Sequence, residues 1–317
     1  MLQNQLNETP AIKSAKQAIE PMIRGRSLSQ TDVPAIFSEP GKRLLDDSTV
    51  LIRRYSEMEF KTIVYEKNGQ VARITLNRPD TLNSVSPETV SEILSAVKDI
   101  EEDNAIKAVA ITAKGRAFCA GADIKSIKEL SSSPPKCRRF IHSLYRMWSG
   151  IEHISKPVIC AVQGFALAGG LEIVNACDIV IASENAQFGD QHANFGFIPG
   201  TQRLSRIVGV RRAKEIMLTG RSISAAEAER IGLINKVVPA DKLEEALSEM
   251  LDKVIKNKSP LVARRMKSLV NNGTQVALQI GLELEDQVTS YHLVDSYDAQ
   301  EGMKSFEEKR APVFKGI

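Results

Sequence analysis

Cysteine is scarce in this chain. There are 4 in 317 residues, Cys119, Cys137, Cys160 and Cys177, and no two form a Cys-x-x-Cys pair. That spacing supplies neither a disulfide framework nor a zinc cage, and sparse, unpaired cysteine is typical of a reducing compartment. Long apolar runs are missing too: no stretch approaches the ~20 residues a membrane-crossing helix needs. Charge of one sign is not in excess. The 42 Lys and Arg stand against 39 Asp and Glu, a net charge of +3, which offers no bulk field for nucleic acid. Neither Gly-x-Gly-x-x-Gly between a strand and a helix nor a Walker loop occurs. Any chemistry must come from carboxylates, 4 histidines and backbone groups. The rest is ordinary for a soluble globular chain, at 43% apolar and 26% charged, and long enough for one or two domains with a sizeable core.

The chain divides near residue 58. Residues 1–58 mix polar and short apolar stretches, with prolines at Pro10, Pro21, Pro34 and Pro40. Ala11 to Met22 has the pattern of one amphipathic helix stopped near Pro21. Arg24 and Arg26 are accompanied by Glu8 and Glu20, whereas a mitochondrial targeting peptide is poor in acids. There is no secretory apolar core, so a cytoplasmic location is expected. The expected organisation is an N-terminal extension (1–58), a core (59–255) and a helical C-terminal region (256–317).

Past residue 58, strands alternate with helices. Thr62 to Tyr65 and Val71 to Leu76 are strand-like and joined through Asn68-Gly69, a pair suited to a tight hairpin. Ser86-Pro87 opens a helix with a stripe of Val90, Ile93, Leu94, Val97 and Ile100. Ala108 to Thr112 is a strand. Ser133-Pro134 opens a helix whose face reads Phe140, Ile141, Leu144, Trp148 and Ile151. Strands at 157–162 and 178–182 flank a helix at 169–176. From about Ala225 the pattern becomes mainly helical, with another helix opened by Ser259-Pro260. The alternation predicts an α/β fold with parallel pairings.

Two glycine-bearing loops carry the chemical signal. The first runs from Gly115 to Ile124, and its small residues at 120–122 admit a ligand close to the backbone. The second, Gly164 to Glu172, follows a strand and enters a helix through Gly169-Gly170. Free N–H groups at that helix start can hold a developing oxyanion. Glu172, three residues on, lies on roughly the same face as the Gly169 amide. A donor beside a carboxylate suits proton transfer next to a carbonyl. Among other titratable groups, Asp123 is expected to cap the helix after the first loop. Asp190 reads as a surface loop carboxylate, and His142, His153 and His292 as solvent or packing residues. Phe140 and Trp148 read as core.

The two loops, in this order and setting, resemble the crotonase, or enoyl-CoA hydratase/isomerase, superfamily over residues 60–317. The matching stations are 74–79 with Leu82-Asn83, then 117–124, 156–164, Gly169-Gly170-Leu171-Glu172, 177–182 and Gln187-Phe188-Gly189. Leu218-Thr219-Gly220, 228–234 and the closing Glu301-Gly302-Met303 with 306–310 complete the series. The resemblance implies a crotonase-type spiral of repeated ββα turns, a helical C-terminal region that builds trimers, and a homo-oligomer, trimer or hexamer. It implies an acyl-CoA substrate whose thioester carbonyl is polarised by the backbone N–H groups of Ala122 and Gly169. CoA would lie along Ala120, Asp123 and Ile124, with Phe306 and Lys309 closing on it. No metal or redox cofactor is implied, CoA being part of the substrate.

One departure stands out. Hydratases of the family present two glutamates; one matches Glu172, and the other position, three residues after Gly189, holds His192. Histidine can serve as acid or base near neutrality. The expected reaction is reversible syn addition of water to a 2-enoyl-CoA, with Glu172 as base and His192 as acid. Double-bond isomerisation by Glu172 alone, hydrolysis or decarboxylation with His192, and a non-catalytic acyl-CoA-binding interaction protein remain open alternatives at this level. Acyl chain length is not encoded in any of these motifs.

Overall fold

The structure is a computed structural model that describes residues 60–198 and 200–317. The extension 1–58 and the helix expected at Ala11 to Met22 lie outside these residues. The described residues form two compact units, Phe60–Arg264 and Arg265–Ile317.

The first unit opens with a hairpin of β1 (Ile63–Asn68) and β2 (Val71–Leu76), paired from Ile63 with Leu76 to Asn68 with Val71. Asn68 therefore belongs to the strand, and the two-residue turn is Gly69-Gln70, one position later than expected. Of that pair only Gly69 takes positive φ, at +57°, so one glycine at the first turn position supplies the left-handed geometry. Helix α1 (Pro87–Glu102) starts as its sequence dictates: Ser86 Oγ accepts from the Thr89 N–H, and proline occupies the first turn. Its Val90, Ile93, Val97 and Ile100 are buried in the core.

Strand β3 (Ala108–Ala113) leads through the first loop to α2 (Ile124–Ser131) and α3 (Pro134–Glu152). Asp123 caps α2, accepting from the Ser126 N–H at 3.1 Å. On α3 the buried stripe is rotated slightly from expectation. Ile141 is 38% exposed, while Met147 is fully buried. The spacing 140, 144, 147, 148 and 151 keeps the 3.6-residue period.

Then come β4 (Val158–Val162), β5 (Phe165–Leu167), α4 (Gly169–Asn175), β6 (Ile179–Ser183) and β7 (Gln187–Gly189). Helices α5 (Thr201–Val208) and α6 (Val210–Thr219), strand β8 (Ser222–Ser224), α7 (Ala225–Arg230), β9 (Lys236–Val238) and α8 (Leu243–Ile255) follow, and the division between the units falls within α9 (Pro260–Gly273). The helical part thus begins at Thr201, earlier than the sequence pattern suggested.

The large sheet runs β1-β2-β3-β4-β6-β9, parallel from β2 onward. Strand β4 is buried along its whole length and β3 over all but its last residue, as central parallel strands covered on both faces must be. A small sheet, β5-β7-β8, forms beside it. Two successive turns of the chain each contribute one strand to the large sheet and the next to the small one: β4 then β5, β6 then β7. This is the expected ββα spiral. The three-residue strands of the small sheet are too short for period-2 patterning to reveal.

The second unit contains α10 (Leu278–Asp295) and α11 (Tyr297–Glu307). The closing segment ties back onto α11. Glu301 accepts from the Arg310 guanidinium, which holds its carboxyl down at about 2, and from the Val313 N–H at 2.7 Å. Asp298 accepts from the backbone N–H groups of Lys315 and Gly316.

Candidate active site

The first loop is pinned from several sides. Asn83 is buried and in the left-handed region, φ +56°. Its Nδ2 donates to the carbonyls of Lys114 and Ala117 at 2.8 and 2.9 Å, and its Oδ1 accepts from the Arg78 N–H. Arg78 Nη1 meets Asp123 Oδ2 at 2.9 Å, and this ion pair, with the helix cap, holds the Asp123 carboxyl below the usual carboxylate range against the opposing effect of burial. Bridges join Val85 to Ala122 and Cys119 to Ala166. The loop therefore lies between the preceding and following turns of the spiral.

The second loop meets it at close quarters. A Cβ on Gly169 would stand 3.2 Å from the Ala122 nitrogen, and one on Gly121 3.3 Å from the Gly169 nitrogen. A Cβ on Gly170 would collide with the Cys119 carbonyl. Ala168, which joins β5 to α4, takes φ +49° and ψ −115°, a strained conformation for a residue with a Cβ. Its N–H donates to the Gly189 carbonyl at 2.8 Å. Among the described residues, the N–H groups of Ala122 and Gly169 donate no hydrogen bond. Two uncommitted donors thus stand side by side although 47 residues separate them (169 minus 122).

One helical turn into α4, Glu172 is 1% exposed, and its Oε2 has no hydrogen-bond partner. Burial pushes its carboxyl up to about 7; the Arg203 and His192 charges pull it down, and Asp190 and Glu152 push it up. Arg203 Nη1 lies 3.8 Å from Oε2, too far for a hydrogen bond. The missing Cβ of Gly200, just before α5, is what makes room for the carboxylate: a Cβ there would stand 2.5 Å from Glu172 Cδ.

His192 begins a short 3-10 turn after β7. Its Nδ1 is 2.6 Å from Asp190 Oδ1. Asp190 is 1% exposed, so the expectation of a surface carboxylate is wrong. The chain leaves β7 at Gly189 and turns inward at once, and the neighbouring imidazole gives the buried carboxyl a hydrogen-bond partner. An ionised carboxylate can only accept, so Nδ1 carries a proton and Nε2 is the position open to exchange.

Among the residues expected around CoA, Ala120 is half-buried and its N–H is committed to the Leu82 carbonyl; the Asp123 N–H is committed to Val85. Ile124, at the head of α2, is 55% exposed. Phe306 and Lys309 belong to the second unit, where Phe306 ends near the last turn of α11 and is exposed. Among the described residues no group of three or more His, Cys, Asp and Glu side chains could hold a metal, and no helix is long and apolar enough to cross a membrane.

The family described as enoyl-CoA hydratase/isomerase matches residues 66–317. The chain belongs to this family. It is 39% identical over 265 residues to a protein of Dictyostelium discoideum named probable enoyl-CoA hydratase, mitochondrial, covering 83% of this chain and 94% of that one. It is 39% identical over 257 residues to the short-chain-enoyl-CoA hydratase of Clostridium acetobutylicum, covering 80% and 97%. The crystal structure of an enoyl-CoA hydratase from Bacillus anthracis superposes with a TM-score of 0.77 at 37% identity, over 81% of this chain and 100% of that chain. The crotonase fold of these relatives is the fold described above.

Three side chains near Glu172 escaped the sequence reading. Asp190 reads from its loop position as a surface residue, and nothing in the local sequence marks Arg203 or Glu152. Arg203 stands in the string Gly200-Thr201-Gln202-Arg203 and was visible, but nothing local says that a residue 31 positions after Glu172 faces it (203 minus 172).

Proposed function

We propose that this protein is an acyl-CoA lyase that reversibly adds water to a 2-enoyl-CoA. The observation that carries the reading is the carboxylate of Glu172, buried with an unpaired oxygen and charged neighbours, on the helix that begins with the uncommitted Gly169 amide. The thioester oxygen accepts from the Ala122 and Gly169 N–H groups, which draws electrons from the β-carbon. Ionised Glu172 takes a proton from water as its oxygen bonds to that carbon, and His192 delivers a proton to the α-carbon as the enolate collapses. In dehydration the roles reverse. Removing one oxyanion donor costs about 3 kcal/mol of barrier in such sites.

The Asp190–His192 pair favours hydration over isomerisation by Glu172 alone, because it provides a second, oriented acid/base group. CoA is the carrier part of the substrate, placed along Ala120, Asp123 and Ile124; Phe306 and Lys309 are the further CoA-contacting residues that the family resemblance implies. A homo-oligomer is the assembly the family resemblance implies, and the exposed Leu278 and Leu282, one turn apart on α10 at 76% and 49%, are apolar surface that such an interface would cover. Relatives carry both mitochondrial and bacterial descriptions; the cytoplasmic location is proposed from the acids among residues 1–58.

The test is product mass from a panel of acyl-CoAs. A product one water heavier than the 2-enoyl-CoA supports hydration. A product of unchanged mass with a moved double bond, or free CoA, replaces it with isomerisation or hydrolysis. Glu172→Gln should abolish turnover while CoA binding persists.

A further inference from the structure

Arg203 sits in the first turn of α5, next to Leu204, which is fully buried and seats that turn in the core. Its guanidinium is fastened on one side. Nε and Nη2 donate to Glu152 Oε2 at 3.1 and 2.7 Å, and Nη2 donates to Ser149 Oγ at 3.0 Å. Ser149 and Glu152 are three residues apart near the end of α3, so they share one face of it. The remaining nitrogen, Nη1, is left 3.8 Å from Glu172 Oε2.

We propose that Arg203 is a positioning residue for the reaction proposed above, a cation held back by Ser149 and Glu152 so that it favours the ionised form of Glu172 without occupying the reacting oxygen. A guanidinium free to approach would form a fork of short hydrogen bonds with the carboxylate. That fork would tie up the lone pairs with which a base takes a proton. A site with no cation would leave a buried carboxylate facing Asp190 and Glu152, and it would stay protonated well above neutrality. The 3.8 Å gap lies between these extremes. The groups facing Glu172 are Arg203 from α5, Glu152 from α3, and Asp190 with His192 after β7.

The inference rests on Glu172 being the base, and its signature is the acid limb of the pH–rate profile, where Glu172 takes up its proton. The full chain is assayed with a short-chain 2-enoyl-CoA, kcat and kcat/KM being followed against pH. Arg203→Met removes the charge, so the limb should move up by about one pH unit or more. Arg203→Lys keeps a charge and should leave the limb nearer its original position. Glu152→Gln removes a negative neighbour and frees the guanidinium, so its limb should move down. Opposite shifts from two touching residues are not what a purely structural role produces; that role lowers kcat at every pH and leaves the limb in place. A limb in Arg203→Met that superimposes on the unmodified protein overturns the proposal. If that variant does not fold, an unmoved or raised limb in Glu152→Gln overturns it. Glu172→Gln separates the two levels: full activity there removes the base assignment, whereas inactivity with an unmoved Arg203→Met limb removes only this inference.

Discussion

Replacing Gly200 by alanine adds one methyl group where the Glu172 carboxylate lies. The new Cβ would stand 2.5 Å from Cδ and 2.7 Å from Oε2, against about 3.4 Å for ordinary contact. The carboxylate must therefore retreat by about 1 Å. It can do so, because it is the far end of a side chain with three rotatable bonds. The backbone accepts the change as well: Gly200 has φ −71°, which any residue adopts. The fold should thus survive while the acid/base geometry does not. A displacement of about 1 Å typically lowers turnover about 100-fold, or about 2.7 kcal/mol of barrier. The assay is steady-state hydration by Gly200→Ala, with thermal unfolding measured on the same sample. A kcat within about threefold of the unmodified protein would refute the account of why glycine is needed there. A large drop in melting temperature with unchanged kcat would do the same.

Three further outcomes follow from the same geometry. Glu172 is neutral in both states below its ordinary 4.5, whereas above its folded value of about 7 the folded protein carries a poorly solvated charge. Its contribution to stability is therefore fully present at low pH and lost as pH rises towards 7, so Glu172→Gln should stabilise the protein by about 3 kcal/mol at pH 8 and by almost nothing at pH 4. Urea titrations at both pH values check this; a gain of the same size at each would contradict it. Gly170→Ala drives a Cβ into the Cys119 carbonyl, a backbone atom that cannot swing away, and should cost about 2 kcal/mol or more in chemical denaturation. Asp190→Asn replaces the acceptor-only carboxylate beside His192 Nδ1 with a neutral amide that can also donate, so the ring tautomer is no longer fixed; hydration should fall at least about 100-fold while CoA affinity, read by calorimetry, changes little.

Local pattern made much of the fold legible. The caps at Ser86 and Asp123, the stripe of α1 and the fully apolar runs of β3 and β4 depend on neighbours a few residues apart, which periodicity records. The hairpin was displaced by one residue because Asn68-Gly69 fits one turn class well, yet pairing of Asn68 with Val71 keeps it in the strand. The small sheet and the rotated face of α3 were illegible for a different reason. Three residues show no period, and the face α3 buries depends on what packs against it.

The same division runs through the candidate site. By itself the sequence determined the family, the α/β class, the two small-residue loops, Glu172, and a histidine where hydratases of the family carry a second glutamate. Only the tertiary structure decided that the Ala122 and Gly169 amides are neighbours, that Asp190 is buried against His192, and that Arg203 stands fastened beside Glu172. The physical reason is that a residue's chemistry is set by its solvation and the charges around it. Those come from segments tens of positions away, which the spiral stacks turn upon turn, and no spacing within one segment encodes them.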